Sequence, residues 1–310
     1  MTIEIFKLLK QKQVKDVARP TEMVTFQYED KLHEVLEKLM ASGIVSAPVM
    51  KGIECVGLID ILDILAFLVE LFGETEVRQG NDIFSRLKTA SKFQDQQIGA
   101  IADFAHNPFT PISEDKSLYE ACTLLVKEKS HRCPVLDKDG KMVSILTQAQ
   151  IVNFCALHVK DLGELAHQKV GHAPLGVSPV ITLEKHMRTI DCFKKMHQMK
   201  VSGLAVIDNT GILIGNLSAR DIKAINPSNL YHSLHQSVHT FVQHIREQSF
   251  NESHPAISCS EETELGFVIG RLAANRIHRM YVCDKQLHPC KVISLRDIIS
   301  YLMSQEPQQQ

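Results

Sequence analysis

Arg132-Cys133-Pro134-Val135 opens a short β-prone run, and the chain carries its counterpart at Ser46-Ala47-Pro48-Val49, Gly203-Leu204-Ala205-Val206 and Arg279-Met280-Tyr281-Val282. Each run follows an amphipathic helical stretch and leads into a hydrophobic segment that begins a second helix. From the third residue of each run to a marked downstream position, Pro48 to Asp63 spans 15 residues, while Pro134 to Gln150, Ala205 to Asp221 and Tyr281 to Asp297 span 16 each. So constant a step marks a structural repeat. The marked residue is a carboxylate in three copies and an amide in one, so the copies share a fold and differ in ligand chemistry.

Within a copy the periodicity changes along the chain. Leu32, Val35, Leu36, Leu39 and Met40 form one apolar helical stripe, as do Leu265, Val268, Ile269 and Leu272. In the second copy Ser117 and Glu120 predict a capping box ahead of Leu118, Cys122 and Leu125. The third, with Met187, Ile190 and Phe193, is the least regular. Turns at Asp137 to Gly140 and Asp208 to Gly211 separate two β-prone runs, so the unit reads helix, strand, turn, strand, helix. A unit of about 50 to 60 residues cannot cover both its helical and its sheet face, so copies should pair. In sequence order this gives a first module over 1–165, with repeats at about 20–75 and 105–158 and a helical connector at 76–104. A second module over 166–310 holds repeats at about 172–226 and 250–303 and a disordered tail at 305–310.

Composition narrows the function classes. With 310 residues, 44% hydrophobic and 23% charged, the chain reads as a soluble protein with a substantial core. A net charge of -2 gives no long-range attraction to nucleic acid or anionic membrane, so phosphate affinity must come from a local cluster. The apolar stretch Ile59 to Phe72 is too short to span a bilayer and carries Asp60, Asp63 and Glu70. The N-terminus has Glu4 and no signal-like run, which points to the cytoplasm, with the nucleus also open. Eight cysteines without a CxxC pair fit buried thiols in a reducing compartment. There is no P-loop, nucleophile elbow or pair of catalytic carboxylates, so no catalytic residue and no cofactor is assigned. His232, His235, His239 and His244 lack a completing third ligand, and Cys283, His288 and Cys290 lie around one hairpin; neither set is read as a metal site.

The element order, the Pro-Val or Ala-Val pair in the first run, and a second run entering Ser-x-x-Asp resemble the cystathionine β-synthase (CBS) repeat over residues 15 to 303. Two such repeats form a Bateman module. Four in one chain resemble the γ subunit of AMP-activated protein kinase and its relatives, and the strings Lys129 to Asp137, Ser144 to Thr147 and Ile277 to Val282 carry that likeness. The resemblance implies an α+β fold of four CBS repeats, paired into two Bateman modules that form a pseudo-fourfold disc.

Ligand chemistry follows from the same motifs. A carboxylate at a helix start can accept ribose hydroxyls, and a Ser or Thr three residues earlier adds a hydroxyl near phosphate. The pair is complete as Ser218 with Asp221 and Ser294 with Asp297; Asp60 replaces the hydroxyl residue before Asp63, and Gln150 replaces the carboxylate after Thr147. The plainer reading of each is an N-cap, worth about 1 kcal/mol. His131 with Arg132 and His278 with Arg279 repeat at the first-strand entrance, and the resemblance places them at the centre of the disc, where they would hold phosphates. Val45 stands where that family has an Arg, and Ala149 where it has a phosphate-binding Lys, so four of six central basic positions survive. The implied ligands are AMP, ADP or ATP, with weakened polyphosphate binding. Asp221, Asp297 and Asp63 would hold ribose; His131, Arg132, His278, Arg279, Ser218, Ser294 and Thr147 would hold phosphate. The implied partners are protein kinase catalytic and β-type scaffold subunits, with no nucleic acid and no membrane. The alternative is a stand-alone CBS scaffold with degenerate sites acting through protein partners. Gly73 to His106 and an N-terminal strip, Met1 to Leu9, that could lend a strand to a partner sheet are candidate partner surfaces.

Overall fold

The computed structural model describes residues 4–20, 23–42, 44, 46–64, 66–67, 95–102, 109–224, 230–248 and 258–306. The chain begins with helix α1 (Glu4–Gln11). Repeat 1 comprises β1 (Phe26–Gln27), α2 (Leu32–Ala41), β2 (Ser46–Lys51), β3 (Glu54–Asp60) and helical backbone at 61–64 and 66–67. Repeat 2 comprises β4 (Ile112–Ser113), α3 (Leu118–Lys127), β5 (Arg132–Leu136), β6 (Met142–Thr147) and α4 (Gln148–Leu157). Repeat 3 comprises β7 (Thr182–Glu184), α5 (Thr189–Met199), β8 (Gly203–Ile207), β9 (Leu213–Ser218) and a 3-10 helix at Ala219–Ala224, followed by α6 (Leu230–His235) and α7 (Val238–Gln248). Repeat 4 comprises β10 (Ser258–Cys259), α8 (Leu265–Ala274), β11 (Arg279–Cys283), β12 (Pro289–Ser294) and α9 (Leu295–Ser304).

The expected α+β repeat is present four times, with one addition. A strand of two or three residues precedes each first helix and pairs in parallel with the first hairpin strand, giving four three-stranded sheets. The hairpin register is the same in each repeat: Ser46 faces Asp60, Arg132 faces Thr147, Gly203 faces Ser218 and Arg279 faces Ser294. The strand entrance and the start of the second helix therefore meet at one end of every repeat.

The stripes read from sequence are the buried ones. Leu32, Val35, Leu36 and Leu39 are buried in repeat 1, and Leu265, Val268, Ile269 and Leu272 in repeat 4, while Met40 packs against the core edge. Ser117 and Glu120 form the expected capping box, and Lys116 and Ser117 together hold the Glu120 carboxyl down to about 2. Burial pushes the thiols of Cys133, Cys155 and Cys192 up to about 12, which makes them inert packing groups. Cys290 is exposed.

Compact units do not follow chain order. One consists of 1–23, 110–180 and 256–310 and so pairs repeats 2 and 4; the other consists of 24–109 and 181–255 and pairs repeats 1 and 3. In the first unit α4 packs against α8 and α9, and α9 also packs against α3. Ile151, Val152 and Cys155 share that core with Val268, Ile269, Ile298 and Leu302. In the second unit Leu36, Ile59 and Ile64 share a core with Phe193, Met196, Leu217 and Phe241. The apolar helical faces close on the repeat two along the chain.

Two expectations are corrected. The N-terminal strip is not a strand available to a partner sheet: Glu4 to Gln11 is helical, Ile5, Phe6 and Leu9 are buried, and α1 packs on α3. At the other end, Gln305 and Glu306 are ordered rather than part of a loose tail, with Glu306 accepting hydrogen bonds from Lys10 and Tyr119. Of the connector, 95–102 forms an extended entry and a 3-10 turn that buries Ile98; Ile83, Phe84 and Leu87 lie outside the described residues.

Truncating fully buried Ile269 to Ala should cost about 2–5 kcal/mol of unfolding free energy in urea titrations, whereas Ile53→Ala, at a turn position 98% exposed, should change it by less than about 0.5 kcal/mol. Ser117→Ala, which removes the α3 cap, should cost about 1 kcal/mol.

Candidate functional site

The Ser-x-x-Asp motif is, first of all, a helix cap. Ser294 is the N-cap of α9: Asp297 N–H donates to Ser294 Oγ (3.3 Å), and Asp297 Oδ2 accepts from Ser294 N–H (2.8 Å) and Ser294 Oγ–H (2.6 Å). Thr147 and Gln150 build the same box at α4, with Gln150 Oε1 accepting from Thr147 N–H at 2.8 Å. Ser218 N–H donates to Asp221 Oδ2 (2.6 Å), and Asp60 N–H to Asp63 Oδ2 (3.1 Å). Capping alone thus accounts for the recurrence of the motif, including the copy in which amide replaces carboxylate. A ligand role must be argued from what surrounds each carboxylate.

Those surroundings differ. Asp63 is 7% exposed, and its Oδ1 lies 3.9 Å from Nδ1 of His197, beside a small pocket lined by Leu62, Ala66, Phe193, Lys194, His197 and Leu234. Asp221 begins only a six-residue 3-10 helix and lies within electrostatic range of Arg246, whose pKa burial lowers and the Asp221 charge raises. Asp297 sits in the first turn of a ten-residue α-helix, half-buried, with both of its capping bonds on a single oxygen, Oδ2.

The two His-Arg pairs fall in one unit. His131, Arg132, His278 and Arg279 all belong to the unit of repeats 2 and 4. The strand register sets Arg132 opposite Thr147 and Arg279 opposite Ser294, and the His131 and His278 carbonyls accept from the amides of Gln148 (3.2 Å) and Leu295 (3.1 Å). Each His-Arg pair is therefore anchored at the N-terminus of its repeat's second helix, where the dipole favours an anion. His131 is exposed, yet the protein around its ring and the charge of Arg132 hold its pKa below the usual 6.5. Arg296 and Arg279, both from repeat 4, push the same way, against a hydrogen bond with Gln148 that raises it. A residue of repeat 2 thus feels two arginines of repeat 4. Arg296 was not among the residues singled out from sequence, although its place two residues past Ser294 matches that of Ala149 past Thr147.

Other expected positions resolve simply. Val45 lies outside the described residues. The His-rich stretch is two helices with a break at Gln236 and Ser237, so His235 and His239 do not share a helical face. His288 Nδ1 lies 3.0 Å from Asp284 Oδ2 within its own turn.

Comparison with known proteins agrees with this architecture. The CBS domain model matches residues 14–70, 101–156, 175–226 and 251–304. An Arabidopsis thaliana protein named SNF1-related protein kinase regulatory subunit gamma-1-like is 27% identical over 253 residues, which is 74% of this chain and 54% of the relative. A 5′-AMP-activated protein kinase subunit gamma of Dictyostelium discoideum is 26% identical over 286 residues, 86% of this chain and 47% of the relative. The chain spans about half the length of the curated relatives it matches. Among solved structures, a Methanocaldococcus jannaschii protein described as an archaeal homolog of γ-AMPK shares the fold with a TM-score of 0.68 at 15% identity, covering 94% of this chain and 100% of its own. With four matched segments falling on four helix-flanked sheets, the chain belongs to the CBS domain family.

Proposed function

We propose that the chain is a non-catalytic, adenine-nucleotide-sensing regulatory subunit of γ type, acting on an AMP-activated or SNF1-type protein kinase. The observation that carries this reading is that Arg132 and Arg279 stand at the strand entrances opposite the capped starts of α4 and α9 and, with Arg296, lie within electrostatic range of His131, in a protein whose net charge is only -2. Clustered cations at helix starts suit phosphates, and neutral bulk charge makes the cluster local. The names of the relatives supply the kinase context. Asp297, half-buried in the first turn of a full α-helix, is the favoured ribose acceptor; Asp221, within electrostatic range of Arg246, comes second, and Asp63, buried beside His197, last. Kinase catalytic and β-type subunits are the proposed partners. Nucleotide would control them by binding one arrangement of the complex better than another, because equal affinity shifts no population.

The test is a thermal-shift series with AMP, ADP and ATP. A ligand at 100 times its dissociation constant adds about 2.7 kcal/mol of stability. We expect a clear rise in melting temperature that Asp297→Ala largely removes and Asp221→Ala reduces. No rise with any nucleotide at about 1 mM would overturn the reading in favour of a partner-binding scaffold.

Binding should also take up a proton. The groups facing His131 are Arg132, Gln148, Arg279 and Arg296; a phosphate placed there offsets their charge and raises the imidazole pKa. In the free protein the pKa of His131 is depressed, so the folded state binds fewer protons than the unfolded one. This contribution to stability is full above about pH 6.5 and fades as pH falls through the lower folded value. Calorimetry on parent and His131→Gln should show the parent's advantage in AMP affinity growing from about pH 8 to about pH 6, and comparing the two proteins cancels the ligand's own titration.

A further inference from the structure

Repeat 4 carries two cysteines at the turn end of its hairpin, away from the end that bears Arg279 and Ser294. Along β11 and β12, Val282 faces Lys291 while Cys283 faces Pro289, so Cys290 is the extra residue of a β-bulge and shares with Pro289 the place opposite Cys283. Opposed residues of an antiparallel ladder have Cα atoms about 4.5–5.5 Å apart, and a disulfide spans about 4.4–6.8 Å. The strand frame thus brings the two cysteines within bridging range. Cys290 is also held from the outer side, where Ser178 Oγ donates to its carbonyl at 3.0 Å and Val177 and Val292 exchange backbone hydrogen bonds of 2.8 and 3.0 Å. Asp284 closes the turn by accepting from the amides of Gln286 (2.9 Å) and His288 (2.8 Å), so the hairpin needs no rearrangement to present the pair.

The two thiols are unlike. Cys283 is 5% exposed, and burial, followed by the neighbouring Cys290 and Cys259, pushes its pKa up to about 11. At neutral pH it is a protected thiol. Among the described residues Cys290 is the one exposed cysteine, its Sγ–H donating to the His288 carbonyl at 3.4 Å. An oxidant therefore meets Cys290 first, and Cys283 stands beside it as the group that can resolve the product.

We propose that Cys290 and Cys283 form a reversible thiol–disulfide pair, a modification site for hydrogen peroxide. The Cys290 thiolate attacks one peroxide oxygen: an S–O bond forms, the O–O bond breaks, and hydroxide leaves, so the sulfur is oxidised to a sulfenic acid and the peroxide is reduced. Cys283 then gives up its proton and attacks the Cys290 sulfur. The S–S bond forms, the S–O bond breaks, and the departing hydroxide takes the proton to become water. Two thiols and one peroxide thus yield a disulfide and two waters, and a dithiol reverses the change by exchange. Cys259 cannot replace Cys283 in this step, because β10 lies two strands from β12, roughly 9–10 Å away. The pair is independent of nucleotide binding.

The experiment is peptide mapping of the full chain, because trypsin cuts after Arg279, Lys285 and Lys291 and so places Cys283 in Met280–Lys285 and Cys290 in Gln286–Lys291. The reduced protein is treated with a few equivalents of hydrogen peroxide, alkylated and digested without reductant. The two peptides should appear joined, two hydrogens lighter than their sum, and dithiothreitol should separate them. Cys283→Ser should abolish the link and leave a Cys290 sulfenic acid that dimedone traps, while Cys290→Ser, a change at an exposed side chain, should leave Cys283 reduced. The urea midpoint of the parent should rise on oxidation and return on reduction, and that of Cys290→Ser should not move. A parent in which Cys290 stays unmodified, passes to sulfinic acid with Cys283 free, or links to any other cysteine overturns the proposal. So does a bridge that forms and lowers the midpoint, since it would not fit the native hairpin.

Discussion

Everything in the unit of repeats 2 and 4 depends on one packing constraint, the closure of α4 against α8 and α9. A single repeat has a three-stranded sheet and two helices and cannot bury both faces by itself. Ile151, Val152, Phe154 and Cys155 present an apolar surface that no residue of repeat 2 covers completely; Val268, Ile269, Ile298 and Leu302 cover it. At roughly 25 cal/mol per Å2 of apolar area, each such side chain contributes on the order of 1.5–3 kcal/mol, so the joint core outweighs the repulsion of a few charges placed at its end. Arginines can therefore gather around His131 without unfolding the unit. Packing builds the site, and the site's charges are tolerated because of it.

How much of this was legible in the chain depends on the range of the interaction. Local signals were read correctly: the stripe of Leu265, Val268, Ile269 and Leu272, the Ser117 and Glu120 capping box, and the turns at Asp137 and Asp208 all depend on neighbours a few residues away. Strands of two residues such as Phe26–Gln27 are too short to show a period, and they exist only because a long strand beside them offers an edge. Pairing of alternate repeats was not legible either, because an apolar stripe reveals that a face is covered and not which segment covers it. The N-terminal helix is a different case. Ile5, Phe6 and Leu9 have helical spacing, so the periodicity of the segment carries the helix even where a strand for a partner sheet is the expectation.

The candidate site shows the same division. The Ser-x-x-Asp register was evident, yet the structure gives the motif a structural duty in every repeat, as Gln150 shows by capping α4 with an amide. A residue with a capping role and a ligand role leaves one pattern in the sequence for both. What separates the carboxylates is their tertiary setting: His197 comes from a different repeat than Asp63, and Arg246 from a helix appended after repeat 3. Arg296 was overlooked for the converse reason. It lies between Ser294 and Asp297, inside the motif, and its charge acts on His131 only because repeats 2 and 4 fold into one unit.

The two units built from this one plan have consequently diverged in charge. In the unit of repeats 2 and 4 the strand entrances carry Arg132 and Arg279, and at the corresponding hairpin positions of the other unit stand Ser46 and Gly203; at the helix starts the units are closer, since repeat 3 has Arg220 where repeat 4 has Arg296. In the unit of repeats 1 and 3, Asp63 lies 3.9 Å from His197, and Asp221 lies within electrostatic range of Arg246. A carboxylate with a basic neighbour in its own unit is a weaker ligand acceptor than one without, because a ligand must compete with that neighbour. An arginine cluster facing helix N-termini has the opposite bias, since an incoming anion relieves repulsion as it binds. Duplication of a fold supplies two equivalent frames, and a handful of substitutions at equivalent places is enough to give their strand entrances different charge.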